Sequence, residues 1–424
     1  MIEACLWTAP LESRPIDPVT LRDRTDVAIV GAGYTGLSAA LTLARRGVST
    51  TVLEAHRVGF GASSRNGGMA LTGLKLSPDA LVQRYGKTVA CAFFDASLSA
   101  LDALERLIET ERIDCAYART GHLEVACSRR HFEALVRTQR LLERVFNHPV
   151  RVISREELPG EIGAAHFTGG LLDERSGALD PYRYVLGLAG AARRAGALIA
   201  EGTAVQSIEP RGDGWRLLTK RGALNSTYVF LATGAYGGPE VAPLRRRLVP
   251  VGSYVIATER LPAEFAQRLI PKDRMVFDTK RLLHYFRLTP DARMLFGGRA
   301  AFVPANAETT RRSAQILRSD MVSAFPALRD VCVDYAWGGT LDVTFDLMPH
   351  AGELHGLYYA TGYAGHGIAL ATMLGARTAD AMIERRDVRP FDRALPRAPL
   401  RLYDGRPWFL PFVGAWQRLA DLVS

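Results

Sequence analysis

The sequence predicts an α/β fold that begins with a strand–helix–strand unit. A predicted short buried strand at 26–30, apolar after Asp26, is followed directly by a G-x-G-x-x-G pattern at 31–36. Apolar residues then recur over 37–44 with spacings of three and four, which is typical of one helix face. A second predicted strand at 50–53, which reads Thr-Thr-Val-Leu, ends at Glu54. Strand, glycine turn, helix and strand therefore form one βαβ unit.

The length and composition are those of a globular protein with two or three domains. Of 424 residues, 48% are hydrophobic and 23% are charged, which excludes a disordered or fibrous chain. The net charge of +9 would suit a nucleic-acid or membrane surface. The arginines, however, occur as scattered pairs and one triplet at 245–247, so we expect no nucleic-acid partner.

The cysteines and apolar runs predict the compartment. Five cysteines without a C-x-x-C pair argue against a disulfide framework and against a zinc or iron–sulfur site. The first residues lack the basic and apolar segments of a secretory signal. No apolar run reaches the roughly 18 residues that span a bilayer without glycine or charge. We therefore expect a cytoplasmic protein with no metal and no transmembrane segment.

Each part of the βαβ unit has a physical role in binding a dinucleotide. Gly31 allows a tight turn, Gly33 lets the backbone approach a pyrophosphate, and Gly36 lets the helix pack closely on the strand. The helix N-terminus offers free N–H groups to the phosphates. Glu54 is placed to bind a ribose diol, which favours FAD or NAD over a ligand with a 2′-phosphate. The alternative is a glycine-rich turn in an unrelated α/β protein. The residues assigned to this site are Gly31, Ala32, Gly33, Tyr34, Thr35, Gly36, Glu54 and Ala55.

A second segment of small residues, 58–68, follows the acidic residue and favours FAD over NAD. Small side chains let the chain lie against a flat ring or a pyrophosphate, and Arg65 adds a positive charge there. The alternative is a surface loop. The residues assigned to cofactor binding are Gly61, Ala62, Ser63, Ser64, Arg65, Asn66, Gly67 and Gly68.

Further strand and helix signals follow in the middle of the chain. Asp180 and Pro181 are typical of the N-cap and first residue of a helix. A strand is predicted at 198–208, then a hairpin turn at 212–214. The next strand ends in Ala-Thr-Gly at 232–234.

The last signal is a strand, a glycine-rich turn and a helix, beginning at Gly356 and running to about Glu384. The N-terminus of this helix would stabilise the negative charge that the N1–C2=O edge of a flavin acquires on reduction. Because the nucleotide signals are spread along the chain, the segments between them must be insertions.

These signals, in this order, resemble the D-amino-acid-oxidase-type FAD amine oxidases, and most closely the γ-glutamylputrescine oxidoreductase-like branch. The resemblance covers Asp26 to about Ala371. It is carried by the stretches VAIVGAGYTGLSAALTLARRG, VLEAHRVGFGASSRNGG, LLHYFRLT with LFGG, AFPAL, DYAWGGTL and YYATGYAGHGIA.

The resemblance implies a GR2-type fold, α/β in class and α+β overall. An FAD-binding Rossmann-like domain would be interleaved with a substrate domain that contains a mixed or antiparallel sheet. The expected FAD-binding segments are 1–80, 150–240 and 336–390, the expected substrate-domain segments are 81–149 and 241–335, and the tail is 391–424.

The resemblance also assigns further cofactor contacts. Val205 would pack near the adenine, and Thr233 with Gly234 would approach the ADP moiety. The turn at the pyrimidine edge of the flavin would be formed by Gly365, His366, Gly367 and Ile368.

Two departures from related enzymes refine the expectation. Related sarcosine oxidases attach flavin to a cysteine, but residues 339–343 read GTLDV, so we expect non-covalent FAD. Those enzymes also use a lysine after the G-H-G turn to hold a substrate carboxylate. Ile368-Ala369-Leu370 stands there instead, which argues against a small substrate such as sarcosine bound in that manner.

The implied reaction is oxidation of a C–N bond, with hydride transfer to flavin N5, hydrolysis of the imine, and reoxidation by O2 or another acceptor. Strand alternation places Tyr285 and Arg287 on one face, where they would hold a carboxylate. Tyr254, Trp337 and His366 are the other pocket candidates. The alternative for each is structural: a solvated strand face, sheet core, or a histidine held by its turn.

The leading hypothesis is an FAD-dependent amine oxidase or dehydrogenase acting on an amino compound such as a γ-glutamylated polyamine, in polyamine catabolism. Its rival is oxidation of a cyclic or N-substituted amino acid such as pipecolate or sarcosine. A tRNA-modifying or non-catalytic flavoprotein represents another class. The aromatic segment 408–419 would touch a membrane surface, or pack on the body or on a second subunit, and the oligomeric state stays open.

Overall fold

The chain folds into two large β-sheets with helices packed around them. The structure, a computed structural model, describes residues 1–9, 19–164, 166–298, 306–385, 387–399 and 403–414. The strands are β1 (Arg24–Val30), β2 (Thr50–Leu53), β3 (Met69–Ala70), β4 (His122–Val125), β5 (Arg151–Ile153), β6 (Gly170–Asp173), β7 (Gly177–Ala178), β8 (Leu198–Ala200), β9 (Val205–Arg211), β10 (Gly214–Thr219), β11 (Gly222–Leu231), β12 (Leu248–Thr258), β13 (Met275–Asp278), β14 (His284–Leu288), β15 (Met294–Gly298), β16 (Val333–Thr344), β17 (His350–Leu354) and β18 (Leu357–Thr361). The helices are α1 (Tyr34–Arg45), α2 (Ala62–Arg65), α3 (Pro78–Glu111), α4 (Arg129–Phe146), α5 (Pro181–Arg194), α6 (Ala242–Arg245), α7 (Ala263–Leu269), α8 (Ala307–Ala324) and α9 (Gly367–Glu384).

The predicted βαβ unit is confirmed as β1, α1 and β2. The two strands pair in parallel, from Val27 opposite Thr50 to Val30 opposite Leu53. Helix α1 ends in basic residues, and the chain leaves it through Gly47 at a φ of +74°, a conformation that favours glycine.

The first sheet has the strand order β17-β18-β11-β1-β2-β8, with the hairpin β9–β10 attached to β11. All neighbouring pairs from β18 to β8 are parallel. The carboxyl ends of these parallel strands therefore lie at one edge, where α/β sheets bind their ligands. The two glycine-rich turns, after β1 and after β18, both open at this edge.

Helices α1, α5 and α9 pack together on this sheet. Gly375 of α9 approaches the backbone of Thr35 so closely that a Cβ would collide with its carbonyl. Ser38 on α1 donates a hydrogen bond of 2.6 Å to the carbonyl of Thr372 on α9. The predicted start of α5 is also confirmed, because the Asp180 carboxylate accepts the N–H groups of the first turn.

The second sheet has the order β16-β12-β15-β14-β13-β4-β6-β5. Its pairs are antiparallel except for β13 with β4, which confirms the expected mixed or antiparallel sheet. One face carries Phe286 and Phe296 and packs with Leu317 and Met321 of α8. The other face is turned toward the first sheet.

One predicted strand, 198–208, is wrong in extent, because the structure has two strands there. β8 pairs with β2, whereas β9 pairs with β10. The chain bends at Gly202, which has a φ of +62°, and Gly202 and Thr203 donate to the carbonyls of His56 and Glu54. These two bonds tie the bend to the end of β2.

The division of strands between the sheets differs from the predicted segment boundaries in two places. β5 and β6 belong to the second sheet, although they fall within 150–240. β16 pairs with β12 as far as Thr344, beyond the predicted limit at 335. Both differences have the same cause, since these strands carry no nucleotide signal of their own. The domain boundaries themselves stay a prediction.

The C-terminal segment packs partly on the second sheet. Tyr403 donates a 2.6 Å hydrogen bond to the carbonyl of Leu248, and Leu410 is buried. Trp408 and Phe412 are 62% and 72% exposed. The remainder of the predicted aromatic tail, 415–424, lies outside the described residues. None of the described helices is both long and apolar enough to cross a membrane.

Candidate active site

A cavity of about 490 Å³ opens between the two sheets, at the carboxyl ends of the parallel strands. It brings together residues from all the glycine-rich segments. The predicted cofactor residues in its wall are Gly31, Gly33, Tyr34, Thr35, Glu54, Ala55, Gly61, Ala62, Ser63, Arg65, Asn66, Gly67, Val205, Thr233, Gly234, Gly365, His366, Gly367 and Ile368.

Four predicted cofactor residues lie outside this wall. The backbone N–H of Ala32 is used within the protein, and Gly36 packs against the carbonyl of Gly31, where a side chain would collide. Ser64 is buried behind the loop. Gly68 has a φ of +69° and lies against the carbonyl of Leu179. These four residues therefore support the wall and do not line the cavity.

The turn between β1 and α1 brings backbone to the cavity surface. Gly31 has a φ of +106°, and a Cβ there would lie 2.7 Å from the carbonyl oxygen of Ala232. A Cβ on Gly33 would lie 2.9 Å from Oγ of Ser63. Any larger residue would therefore displace neighbours on both sides of the turn.

Glu54 closes one end of the cavity at the end of β2. Its Oε2 accepts the N–H of Ala32 at 2.8 Å, and its Oε1 accepts the N–H of His56 at 2.9 Å. Burial raises the pKa of Glu54, and these two backbone donors oppose that shift. Each carboxylate oxygen has a second lone pair that can accept a ribose hydroxyl.

The loop 58–68 is held against the N-terminus of α1. Ser63 Oγ accepts the N–H of Tyr34 at 3.1 Å, and Tyr34 donates its hydroxyl to the carbonyl of Ser63. The side chain of Asn66 donates to the carbonyl of Ala62 and accepts the N–H of Gly68. This loop is thus a rigid wall that includes the short helix α2.

Three donors from distant segments fix consecutive carbonyls on the back of this loop. Cys5 donates to Ser64 at 3.2 Å, Trp337 to Arg65 at 3.0 Å, and Trp7 to Asn66 at 3.0 Å. No local sequence pattern marks Cys5 or Trp7 for this role. Trp337 therefore supports the loop from behind and does not line the cavity, which differs from the predicted flavin wall.

The N-terminus of α9 reaches the same cavity. His366 is its N-cap and lies in the wall, with Nδ1 buried and without a hydrogen-bond partner among the described residues. Burial lowers the pKa of His366 to about 3, so the imidazole is neutral. Thr233 Oγ1 is another buried polar atom in the wall without a partner in the described chain.

These features fit FAD. The wall runs from Glu54 and Val205 at one end to His366 at the other, and two helix N-termini open onto it. The two buried polar atoms without partners need a ligand or water to satisfy them. A ligand with hydroxyl, phosphate and polar ring groups meets each requirement.

Asp342 is a wall residue that sequence reasoning missed. It accepts the hydroxyl of Thr361 at 2.9 Å and the N–H of Gly362 at 2.7 Å. Its backbone carbonyl accepts the N–H of Ala364. A carboxylate on β16 thus fixes the turn that leads into α9. Its one signal was an acidic residue between the apolar residues Leu341 and Val343.

The pocket candidates divide according to the face of the second sheet. Tyr285 lines the cavity, and its hydroxyl lies 3.1 Å from Oγ of Ser253. Tyr254 lies on the opposite face, buried with Phe286 in the core, so its predicted pocket role has no geometric support. Register explains this, because alternate residues of a strand point to opposite faces.

Arg287 shares a face with Tyr285, as predicted, but lies behind the wall. Its Nε donates to the carbonyl of Gly67 and its Nη2 to that of Leu179, each at 2.7 Å. Burial lowers its pKa to about 10, so it stays a cation at neutral pH. The placement differs from the predicted carboxylate-binding role, since loop backbone covers the guanidinium and takes its donors.

The part of the wall beside Tyr285 contains residues that the sequence did not single out. They are Met69, Leu71, Lys75, Phe277 and Leu283. Lys75 is the only one of these five with a charge. This end of the cavity is therefore apolar and aromatic with a cation in its wall, a setting suited to a small organic molecule.

Comparison with known proteins agrees with this geometry. The family model described as "DAO: FAD dependent oxidoreductase" matches residues 26–381. The probable oxidoreductase OrdL of Haemophilus influenzae is 34% identical over 374 residues, 86% of this chain and 84% of that protein. Gamma-glutamylputrescine oxidoreductase of Escherichia coli is 34% identical over 417 residues, 97% and 96% of the two chains.

A solved structure shows the same fold. Glycine oxidase from Geobacillus kaustophilus superposes with a TM-score of 0.75 at 24% identity, covering 89% of this chain and 100% of that one. The family match spans most of the chain and includes every glycine-rich segment of the cavity wall. The chain belongs to the DAO family of FAD-dependent oxidoreductases.

Proposed function

We propose that the protein oxidises the C–N bond of an amine or amino-acid substrate, and that γ-glutamylputrescine-like amines are its substrates. One observation carries the proposal: the wall that holds FAD-binding residues continues without a break into the chamber of Tyr285, Phe277 and Lys75. When bound, FAD supplies the hydride acceptor. The similarity to the Escherichia coli oxidoreductase supports the substrate class.

The residues of the chain would orient the amine and keep its surroundings dry. Phe277, Leu283 and Tyr285 give the chamber apolar walls, which exclude water and favour the neutral amine that oxidation requires. His366 is a neutral imidazole at the N-terminus of α9, where it adds no positive charge that would repel an ammonium substrate.

The proposed reaction is tested by its products. Purified protein is incubated with γ-glutamylputrescine, putrescine, sarcosine and pipecolate. Loss of each substrate is followed together with its product, which is an aldehyde with ammonia from the two primary amines, formaldehyde with glycine from sarcosine, and a cyclic imine from pipecolate. We expect γ-glutamylputrescine to be the best substrate. Faster oxidation of sarcosine or pipecolate would favour the rival amino-acid oxidase. A yellow protein that oxidises none of them would point to a non-catalytic flavoprotein.

We also propose that FAD is bound without a covalent link. The described wall contains no cysteine, and Cys5 lies behind the loop with its Sγ directed at a carbonyl. Acid precipitation should therefore release all the flavin into the supernatant. Flavin that stays with the pellet would contradict this.

A cytoplasmic location is likewise proposed from the cysteines. All five are free, as expected in a reducing compartment. Cell fractionation followed by immunoblotting tests it, and recovery of the protein in a membrane or exported fraction would contradict it.

The acceptor, O2 or another oxidant, is identified by following reoxidation of the reduced flavin with each.

A further inference from the structure

A row of paired residues crosses the second sheet on the face that looks into the cavity. Glu124 on β4 is paired with Phe277 on β13, and Phe277 is paired with Tyr285 on β14. Paired residues of neighbouring strands point to the same face. Since Phe277 and Tyr285 both line the cavity, Glu124 points to the same side.

The alternation along β4 agrees with this orientation. Leu123 and Val125 are fully buried in the core on the other face, whereas His122 and Glu124 keep some accessible surface. Burial nevertheless raises the pKa of Glu124 to about 7 and lowers that of His122 to about 4. Glu124 is not itself a wall residue of the cavity, but it lies next to the wall residue Phe277 on the same side of the sheet.

Glu124 has a charged neighbour but no bonded partner. The positive charge of Lys75 lowers the pKa of Glu124 and also that of His366, so Lys75 lies within electrostatic range of both. Among the described residues, none donates a hydrogen bond to the Glu124 carboxylate or forms an ion pair with it. A carboxylate buried in this way is costly unless a cation or donor joins it.

A lysine in the cavity wall and a carboxylate next to that wall match a ligand that carries both charges. We propose that Glu124 and Lys75 bind the amino-acid head group of the substrate, Glu124 accepting from its ammonium and Lys75 donating to its carboxylate. This inference rests on the proposed function and names the substrate feature that the chamber selects. Phe277 and Tyr285 flank this subsite.

The chemistry indicates which amine lies on Glu124. Oxidation of a C–N bond requires an unprotonated amine, whereas a carboxylate stabilises the protonated form. Glu124 therefore suits the ammonium that is not oxidised. The reacting amine would lie away from Glu124, in the apolar part of the chamber beside the neutral His366.

The test uses two substrates that differ only at the head group. γ-Glutamylputrescine carries the amino-acid head, and N-acetylputrescine has the same amide and free amine without it. Stopped-flow flavin reduction of the holoenzyme gives Kd and limiting rate for each. The variants are Glu124→Gln and Lys75→Met, with Lys87→Met, on the exposed face of α3, as the matched control.

Each variant should raise the Kd of γ-glutamylputrescine by about tenfold, because one charge-assisted hydrogen bond to the substrate is lost. The Kd of N-acetylputrescine should change by less than about twofold. The limiting rates of flavin reduction should stay similar to those of the wild type. Equal effects on both substrates, or none, would overturn the subsite. Flavin content and melting temperature show that each variant folds.

A binding measurement keeps the subsite testable without turnover. L-Glutamine presents the same amino-acid head joined to a γ-carboxamide, so it is titrated into the holoenzyme by calorimetry. Weaker binding to both variants than to the wild type supports the subsite even if no amine reduces the flavin, which would refute the proposed function alone. Equal binding to all proteins, or no binding to the wild type, overturns it.

Discussion

The carboxylate of Glu54 is the side chain whose role in the cavity is most direct to test. It holds the turn after β1 through Ala32 and the bend after β2 through His56, and its remaining lone pairs face the cavity. Each of its two carboxylate oxygens already accepts one backbone N–H. A ribose hydroxyl would therefore use the second lone pair of one of these oxygens.

Replacing Glu54 by glutamine exchanges one of these acceptors for an NH2 group, which cannot accept a hydrogen bond. We expect FAD affinity to fall by about tenfold, the loss of one charge-assisted bond. Fluorescence titration of the apoprotein with FAD measures this. Exposed Glu353→Gln on β17 is the control, and an unchanged affinity in the Glu54 variant would remove its ribose role.

Arg287 illustrates a side chain whose type suggests one role and whose burial assigns another. Replacement by methionine leaves the carbonyls of Gly67 and Leu179 without donors, so we expect a loss of about 2 kcal/mol in the free energy of unfolding. Urea unfolding measures the loss. In this variant the rate of flavin reduction by acidic amines and by neutral amines should change equally. A rate that falls only for acidic amines would instead support binding of a substrate carboxylate by Arg287.

The N-terminal segment acts as a support for the loop 58–68. Trp7→Phe keeps the ring and removes the donor to the Asn66 carbonyl, which should cost about 1 kcal/mol of stability and speed the release of FAD. Thermal unfolding and flavin release after dilution measure both effects. Trp408→Phe changes an exposed tryptophan and should do neither. If both variants behave alike, the segment does not support the loop.

A histidine connects β14 to α8 on the far side of the second sheet. Nδ1 of His284 lies 2.7 Å from Oδ2 of Asp278, and Nε2 of the same ring lies 3.1 Å from Oδ2 of Asp320. Burial by itself lowers the pKa of His284, but the hydrogen bonds to both carboxylates outweigh it and raise the pKa to about 9. The protonated ring therefore stabilises the fold.

The sign of the pH dependence follows from that raised pKa. The stabilisation is fully present below the unfolded pKa of about 6.5 and is lost as the pH rises through about 9. Urea midpoints should fall between pH 6.5 and 9.5, and less so in His284→Gln. Exposed His355→Asn is the control, since asparagine tolerates its φ of +55°. An equal fall in all three proteins would contradict this role.

Patterns of residues close in sequence predicted the helices and strands well. They could not predict which distant segments pair with each other. The βαβ unit and the start of α5 depend on residues close in sequence, and both are confirmed. Glu124 instead lies next to the cavity wall because β4 pairs with β13, about 150 residues later. No periodicity within one strand records which strand will lie beside it.

The whole molecule places its cavity where the two interleaved sheets meet. β16 belongs to the second sheet, yet Asp342 on it fixes the turn that follows β18 of the first. The same wall therefore requires both sheets, and bound FAD should stabilise them together by mass action. This explains why nucleotide signals alone could not locate the substrate end.

The central claim is that this chain uses FAD to oxidise an amine. The most direct measurement is anaerobic mixing of the purified yellow protein with γ-glutamylputrescine while flavin absorbance is followed. We predict that the absorbance band of the oxidised flavin bleaches when substrate is in excess and returns when an acceptor is admitted. Flavin absorbance that stays unchanged with this and every other amine tested would contradict the account.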